Sequence, residues 1–166
     1  MKIANIVIAL LLTASVASAV AGTVKVPSKK PIITVNIPDS WEPEETGKGI
    51  ACESPDKVAT VFFEIVATEK GMNKLIDENI EWLMSDRGVD IKADTKQEKD
   101  FEVGGIKSSL MSFDASSKEF GPAKVGFIFT PINDKVLVTT YWITVKGYEK
   151  QDAALTKILN SVSPIQ

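Results

Sequence analysis

The residues of this chain whose types could do chemistry are one cysteine, several glutamates and a serine–lysine pair. Cys52 is the single cysteine among 166 residues, so the chain holds no internal disulfide. The chain contains no histidine, which excludes a Ser-His-Asp triad, a Cys-His pair and a histidine-bound zinc or haem. We therefore interpret Cys52, in the strand-like stretch "IACES", as a buried structural thiol.

Two groups could support chemistry without histidine. Glu42, Glu44 and Glu45 have carboxylates that suit calcium, which takes about 6–8 oxygen ligands, but no D-x-D-x-D-G pattern surrounds them and a solvated turn is favoured. Lys107 and Ser108 lack the S-x-x-K arrangement of a serine–lysine pair and are typical of strand polarity. We expect no catalytic residue, no metal site and no cofactor, and a carboxylate-based hydrolase is a minor alternative.

Aromatic and apolar side chains indicate a binding surface. Trp41 either anchors a partner or plugs the end of the sheet and fixes the first turn. If Phe63 and Val125 point at the helices, some of Phe62, Val66, Val138 and Trp142 lie on the other face of the sheet. An uncovered apolar face would be an interaction surface, unless a loop, the N-terminal lead or a dimer mate covers it. The predicted partner-binding residues are Trp41, Glu44, Glu45, Phe62, Val66 and Trp142.

Residues 1–21 are typical of a secretory signal peptide. An apolar run from Ile3 to Leu12 leads to an A-x-A pattern at residues 17–19, and cleavage is expected after Ala19 or Ala21. The run is shorter than the about 20 residues that span a membrane, and no cysteine follows to carry a lipid. These features predict a periplasmic or secreted protein without a stable membrane anchor.

The mature chain is mildly acidic. Removal of Lys2 from the 19 basic residues leaves 18 against 22 acidic ones, a formal net charge of −4. That charge argues against nucleic acid and anionic membrane as partners. We expect an unidentified protein partner, and the oligomeric state does not follow from the sequence.

The elements that must position these residues form one domain, residues 32–166, after a flexible lead at residues 22–31. Hydrophobic periodicity predicts the order β-β-β-α-β-β-β-β-α, with Gly104-Gly105 as a hairpin turn. Apolar stripes mark both helices: Met72, Leu75, Ile76, Ile80, Leu83 and Met84 in the first, Leu155, Ile158, Leu159 and Val162 in the second. The predicted fold is α+β, an antiparallel sheet of about six to seven strands with two helices packed on one face.

The order of several marks resembles the PsbP-like superfamily over residues 31–165. These marks are a strand that ends in Pro38, with Trp41 three residues later, a strand that closes in "SPD", the Gly104-Gly105 turn, and a long aromatic strand before the last helix. The superfamily includes PsbP of photosystem II, the Ran-binding Mog-type factor and bacterial DcrB-like proteins. The resemblance implies an α/β sandwich and a non-catalytic role in binding and assembly. A small-ligand or lipid carrier with a cavity between helices and sheet is the alternative.

Overall fold

The structure, a computed structural model, describes residues 21–165. The predicted signal peptide lies outside the described residues except for Ala21. The strands are β1 (Ala21–Val26), β2 (Ile33–Pro38), β3 (Glu44–Glu45), β4 (Gly49–Glu53), β5 (Ala59–Val66), β6 (Val89–Ile91), β7 (Gln97–Val103), β8 (Ile106–Ser117), β9 (Gly121–Ile132), β10 (Lys135–Thr144) and β11 (Ser163–Pro164). The helices are α1 (Glu69–Ser85) and α2 (Val145–Asn160).

The main sheet has eight strands in the order β3-β4-β5-β10-β9-β8, with β6 and β7 both paired to β8. Every pairing in it is antiparallel. Gly104 and Gly105 connect β7 to β8 with φ angles of 57° and 78°, which is the conformation that two-residue hairpin turns require. The predicted antiparallel α+β class and this hairpin are confirmed, and β10 lies at the centre of the sheet.

A second, three-stranded sheet has the order β1-β2-β11. Apart from Ala21, its first strand lies in residues 22–31, the segment predicted to be a flexible lead. Val24 pairs with Val35 and Val26 with Ile33, and Val26 is fully buried in the core. The prediction of a lead outside the core is therefore wrong for residues 22–26, because alternate side chains of this short strand pack onto the domain.

The two helices lie on opposite faces of the main sheet. Leu155 and Ile158 of α2 pack with Phe63 and Leu137, while Leu83 of α1 packs in a separate cluster with Trp142, Val125 and Phe127. The prediction that both helices share one face is wrong. Strands β5 and β10 carry apolar residues on both faces, so each face needs its own cover.

Helix α1 begins at a capping residue, since the Thr68 hydroxyl accepts from the Gly71 backbone N–H at 3.1 Å. Its buried side chains are Leu75, Asn79 and Leu83, and Met84 of the predicted stripe is instead exposed. A polar side chain, Asn79, therefore occupies the centre of the buried face. Within residues 21–165, neither helix is long and apolar enough to span a membrane.

Candidate functional site

The six predicted partner-binding residues divide into two groups. Trp41 is 2% exposed, Val66 6% and Trp142 1%. Trp41 belongs to the core on the α2 face, which is the plug alternative for this residue. Val66 and Trp142 lie beneath α1, so the sheet face that they share is covered and does not form the open interaction surface predicted as one alternative. The cover is a helix, which was not among the alternatives weighed for that face.

Glu44, Glu45 and Phe62 come together in one groove at the β3 edge of the main sheet. The groove has a volume of about 300 Å³. The acidic residues that line it are Glu42, Glu44, Glu45 and Glu53, the aromatic ones are Phe62 and Trp82, and the one basic residue is Arg87. We call it the acidic-aromatic groove. It lies between the strands β3 to β5 and the C-terminal end of α1.

The rim of the groove is held by a tight connection between β3 and β4. Glu44 pairs with Ala51 and Glu45 with Ile50. The Thr46 hydroxyl accepts from the backbone N–H of Gly49 at 2.9 Å and donates to Glu64 Oε1 at 2.9 Å. This connection fixes the rim to the interior of the sheet, because Glu64 is a buried residue of β5.

The aromatic wall joins the sheet to α1. The rings of Phe62 and Trp82 meet edge to face, with centroids 5.0 Å apart, an arrangement that aromatic pairs prefer. The Arg87 guanidinium lies 5.2 Å from the centroid of the Trp82 ring and forms an ion pair with Glu53. The groove thus holds one cation between an aromatic face and a carboxylate.

A buried polar network lies behind this wall. The Asn79 amide donates to Glu64 Oε2 at 3.0 Å and to Thr140 Oγ1 at 3.0 Å. These bonds tie α1 to β5 and β10 and compensate the burial of the Glu64 carboxylate. Sequence reasoning did not single out Glu64 or Asn79. The sequence did hold a signal for both residues. Glu64 interrupts the apolar residues of a strand, and Asn79 interrupts the apolar stripe of a helix.

Cys52 lines the groove, but its thiol is not reactive in character. The side chain is buried, as predicted. Burial raises the pKa of the Cys52 thiol to about 12, against a smaller lowering by a hydrogen bond with the Val61 backbone. A thiol with this pKa is protonated at neutral pH and is a poor nucleophile and metal ligand.

The candidate serine–lysine pair and the acidic side chains on the exposed side of α1 have ordinary surroundings. The Ser108 hydroxyl donates to the Ile106 carbonyl at 2.9 Å and lies 2.9 Å from the Thr130 hydroxyl, so it belongs to the sheet. Glu78 pairs with Lys48 at 2.7 Å and with Lys74 at 3.4 Å on the exposed side of α1. In the part of the chain that the structure describes, no three Cys, Asp or Glu side chains are grouped to hold a metal ion.

No protein-family model matches the chain, and no curated protein matches its sequence. Among solved structures, cyanobacterial PsbP (CyanoP) from Synechocystis sp. PCC 6803 is similar with a TM-score of 0.55 and 7% identity, over 91% of this chain and 96% of that protein. A protein from Bacteroides thetaiotaomicron is similar with a TM-score of 0.52 and 11% identity, over 81% of this chain and 45% of that protein. The chain has a PsbP-like fold, and the predicted resemblance is confirmed at this level.

Proposed function

We propose that the protein is an exported, non-catalytic binding protein that acts on a protein partner in the cell envelope through the acidic-aromatic groove. The observation that carries the proposal is the uncompensated charge beside the aromatic wall. Glu42, Glu44 and Glu45 are all exposed, and within residues 21–165 none of them forms an ion pair. Exposed carboxylates next to aromatic side chains provide charge selection and contact area to a partner.

The groove is built for binding rather than for turnover. The Cys52 side chain is buried in the core on the α2 face, and the inner carboxylate of the groove, Glu53, is already paired with Arg87. The buried carboxylate of Glu64 faces Thr46 and Asn79. A carboxylate-based hydrolase would need two acids that converge on a substrate in a water-excluded site, and the exposed rim glutamates do not offer that environment.

A small-ligand or lipid carrier would need a roomy apolar cavity between a helix and the sheet. Beneath α1 the layer is occupied by Leu83, Phe127 and Trp142, and beneath α2 it is occupied by Phe63 and Ile158. These packed layers favour the surface groove over an internal cavity. The proposal that the protein is exported is supported by the signal peptide predicted for residues 1–21. The proposal that it binds a protein partner is supported by what the PsbP-like resemblance implies.

The test is a capture experiment with matched charge variants. The mature protein is immobilised and exposed to envelope extract, beside a groove variant, Glu44→Lys with Glu45→Lys, and a control, Glu98→Lys with Asp100→Lys. The control acids are exposed on β7, at the opposite edge of the main sheet. Both variants replace two acids by two lysines, so they change the net charge equally. We expect a protein that binds the wild type and the control and is lost with the groove variant.

The partner, once identified and purified, is then titrated against all three proteins. Equal affinity for the groove variant and the control would overturn the proposal. Native mass spectrometry of the purified protein distinguishes the alternative, since a co-purifying small molecule without any captured protein would support the carrier.

A further inference from the structure

Arg87 occupies a position in the acidic-aromatic groove that suits a guanidinium. It follows the end of α1 by two residues, and its guanidinium lies over Trp82 and pairs with Glu53. The side chains of Arg87 and Glu53 are 24% and 26% exposed, so the pair is reachable from solvent. We call the space between the Trp82 ring and the Glu53 carboxylate the cation seat.

The charge around the cation seat is far from balanced. Four glutamates line the groove against one arginine, and Glu42, Glu44 and Glu45 have no ion-pair partner among the described residues. A second cation that enters the groove therefore meets a negative rim and an aromatic face. Complementary charge of this kind both selects a partner and steers its approach.

The geometry of the seat favours arginine over lysine. A planar guanidinium can stack on an indole face and pair with a carboxylate through two N–H groups, whereas a lysine ammonium acts as a compact, strongly hydrated point charge. Arg87 shows that the seat accepts a guanidinium, since its guanidinium lies 5.2 Å from the centroid of the Trp82 ring and forms an ion pair with Glu53.

We propose that the groove binds an arginine-bearing segment of the partner, and that one guanidinium of this segment takes the place of Arg87 in the cation seat. The proposal rests on the proposed function of the groove and names the chemistry of its ligand. Arg87 is then an internal competitor. It satisfies Glu53 and covers Trp82 while the groove is empty, and it swings out to solvent when the partner's arginine enters.

The test uses synthetic peptides in place of the partner. A nine-residue glycine-serine peptide with three arginines is titrated by calorimetry at low salt, beside the same peptide with lysines or with glutamates. The variants are Arg87→Gln, which empties the seat, and Lys74→Gln, which removes an equal charge from an exposed pair on α1. Urea unfolding of each variant confirms that it is folded. If Arg87→Gln is not folded, Arg87→Lys is titrated in its place.

We expect the arginine peptide to bind the wild type, the lysine peptide to bind more weakly, and the glutamate peptide not to bind. Arg87→Gln should bind the arginine peptide about tenfold more tightly, because a partly exposed ion pair and a cation–π contact no longer compete. Arg87→Lys should show a smaller gain, and Lys74→Gln should match the wild type.

Weaker or unchanged binding of the arginine peptide to Arg87→Gln would overturn the proposal, as would binding of the glutamate peptide through Arg87. These results are separate from the fate of the proposed function. A cellular partner that is lost with the Glu44→Lys, Glu45→Lys variant but is insensitive to Arg87→Gln would keep the function and remove the cation seat. Absence of any groove-dependent partner would remove the function itself.

Discussion

The anchor between α1 and the sheet can be tested by one nearly isosteric substitution. Asn79 donates hydrogen bonds to Glu64 Oε2 and to Thr140, both at 3.0 Å, and all three side chains are buried. Asn79→Asp replaces the amide by a carboxyl group and puts two carboxylates in contact. We predict that this change lowers the free energy of unfolding at pH 7 by about 4 kcal/mol.

The magnitude follows from the smaller of two costs. Two carboxylates about 3 Å apart repel by about 5 kcal/mol at an effective dielectric constant of about 20. The introduced carboxylate escapes this repulsion if it takes up a proton and donates to Glu64 as the amide did. Keeping a carboxyl of ordinary pKa, about 4, protonated at pH 7 costs about 1.4 kcal/mol per pH unit, or about 4 kcal/mol. Protonation of the introduced carboxylate costs less free energy than repulsion between the two carboxylates. The cost of protonation therefore determines how much stability the variant loses.

The sign of the pH dependence is opposite to that of a salt-bridged acid. At neutral pH the folded variant binds one proton more than its unfolded chain. Its free energy of unfolding is therefore highest below about pH 4 and decreases as the pH rises. Relative to the wild type, the loss should therefore be small at pH 4 and about 4 kcal/mol at pH 7. The free energy of unfolding of a natural domain is about 5–15 kcal/mol, so the predicted loss is a large part of its stability.

The assay is urea unfolding at pH 4 to 7, followed by circular dichroism. Asn73→Asp is the matched control, because Asn73 is exposed on the same helix and should show no pH-dependent loss. A loss below about 1 kcal/mol at pH 7 would lie in the range of surface substitutions and would refute the buried contact with Glu64. A loss that persisted unchanged at pH 4 would refute the electrostatic account.

Three further predictions concern thiol reactivity and packing. A disulfide reagent at pH 8 should label Cys52 about a thousandfold more slowly in the native than in the urea-unfolded protein, because burial raises the pKa of the thiol to about 12; comparable rates would contradict this. Gly49→Ala should cost more than about 4 kcal/mol in urea unfolding, since its Cβ would run into the Phe63 carbonyl, while Gly47→Ala, in open space, should be nearly neutral. Gly126→Ala should cost about 1–3 kcal/mol because the Tyr141 ring lies against Gly126, and the cost should vanish in a Tyr141→Ala background; additive losses would refute the contact.

Local patterns predicted both helices and the longer strands, because a strand or helix leaves its period in its own residues, but they missed the short strands β1, β3, β6 and β11. The apolar residues on both faces of β10 are typical of a central strand, and Gly104-Gly105 indicated the hairpin. The face chosen by α1 was beyond such patterns, since both faces of β5 and β10 are apolar and either could receive a helix. The burial of Asn79 could have been suspected, because it interrupts the stripe between Leu75 and Leu83.

The candidate site was predictable only in pieces. Glu44, Glu45 and Phe62 were each predicted to bind a partner, and the structure places them around one groove. The part played by Trp82 and Arg87 depends on the direction in which α1 crosses the sheet edge, which is a tertiary property. Trp41 and Trp142 were predicted at the surface as one alternative because aromatic residues serve both cores and interfaces.

The three-stranded sheet has a mechanical consequence. Strands β1 and β11 flank β2 and run parallel to each other, with Ala21 opposite Pro38 and Pro164 opposite Ile33. A pulling force applied between residues 21 and 164 therefore runs along the strands in shear and loads their hydrogen bonds together, whereas a force across the strands would break them one after another. Strand β2 thus holds both described ends of the chain through β1 and β11, in the shear geometry that resists extension.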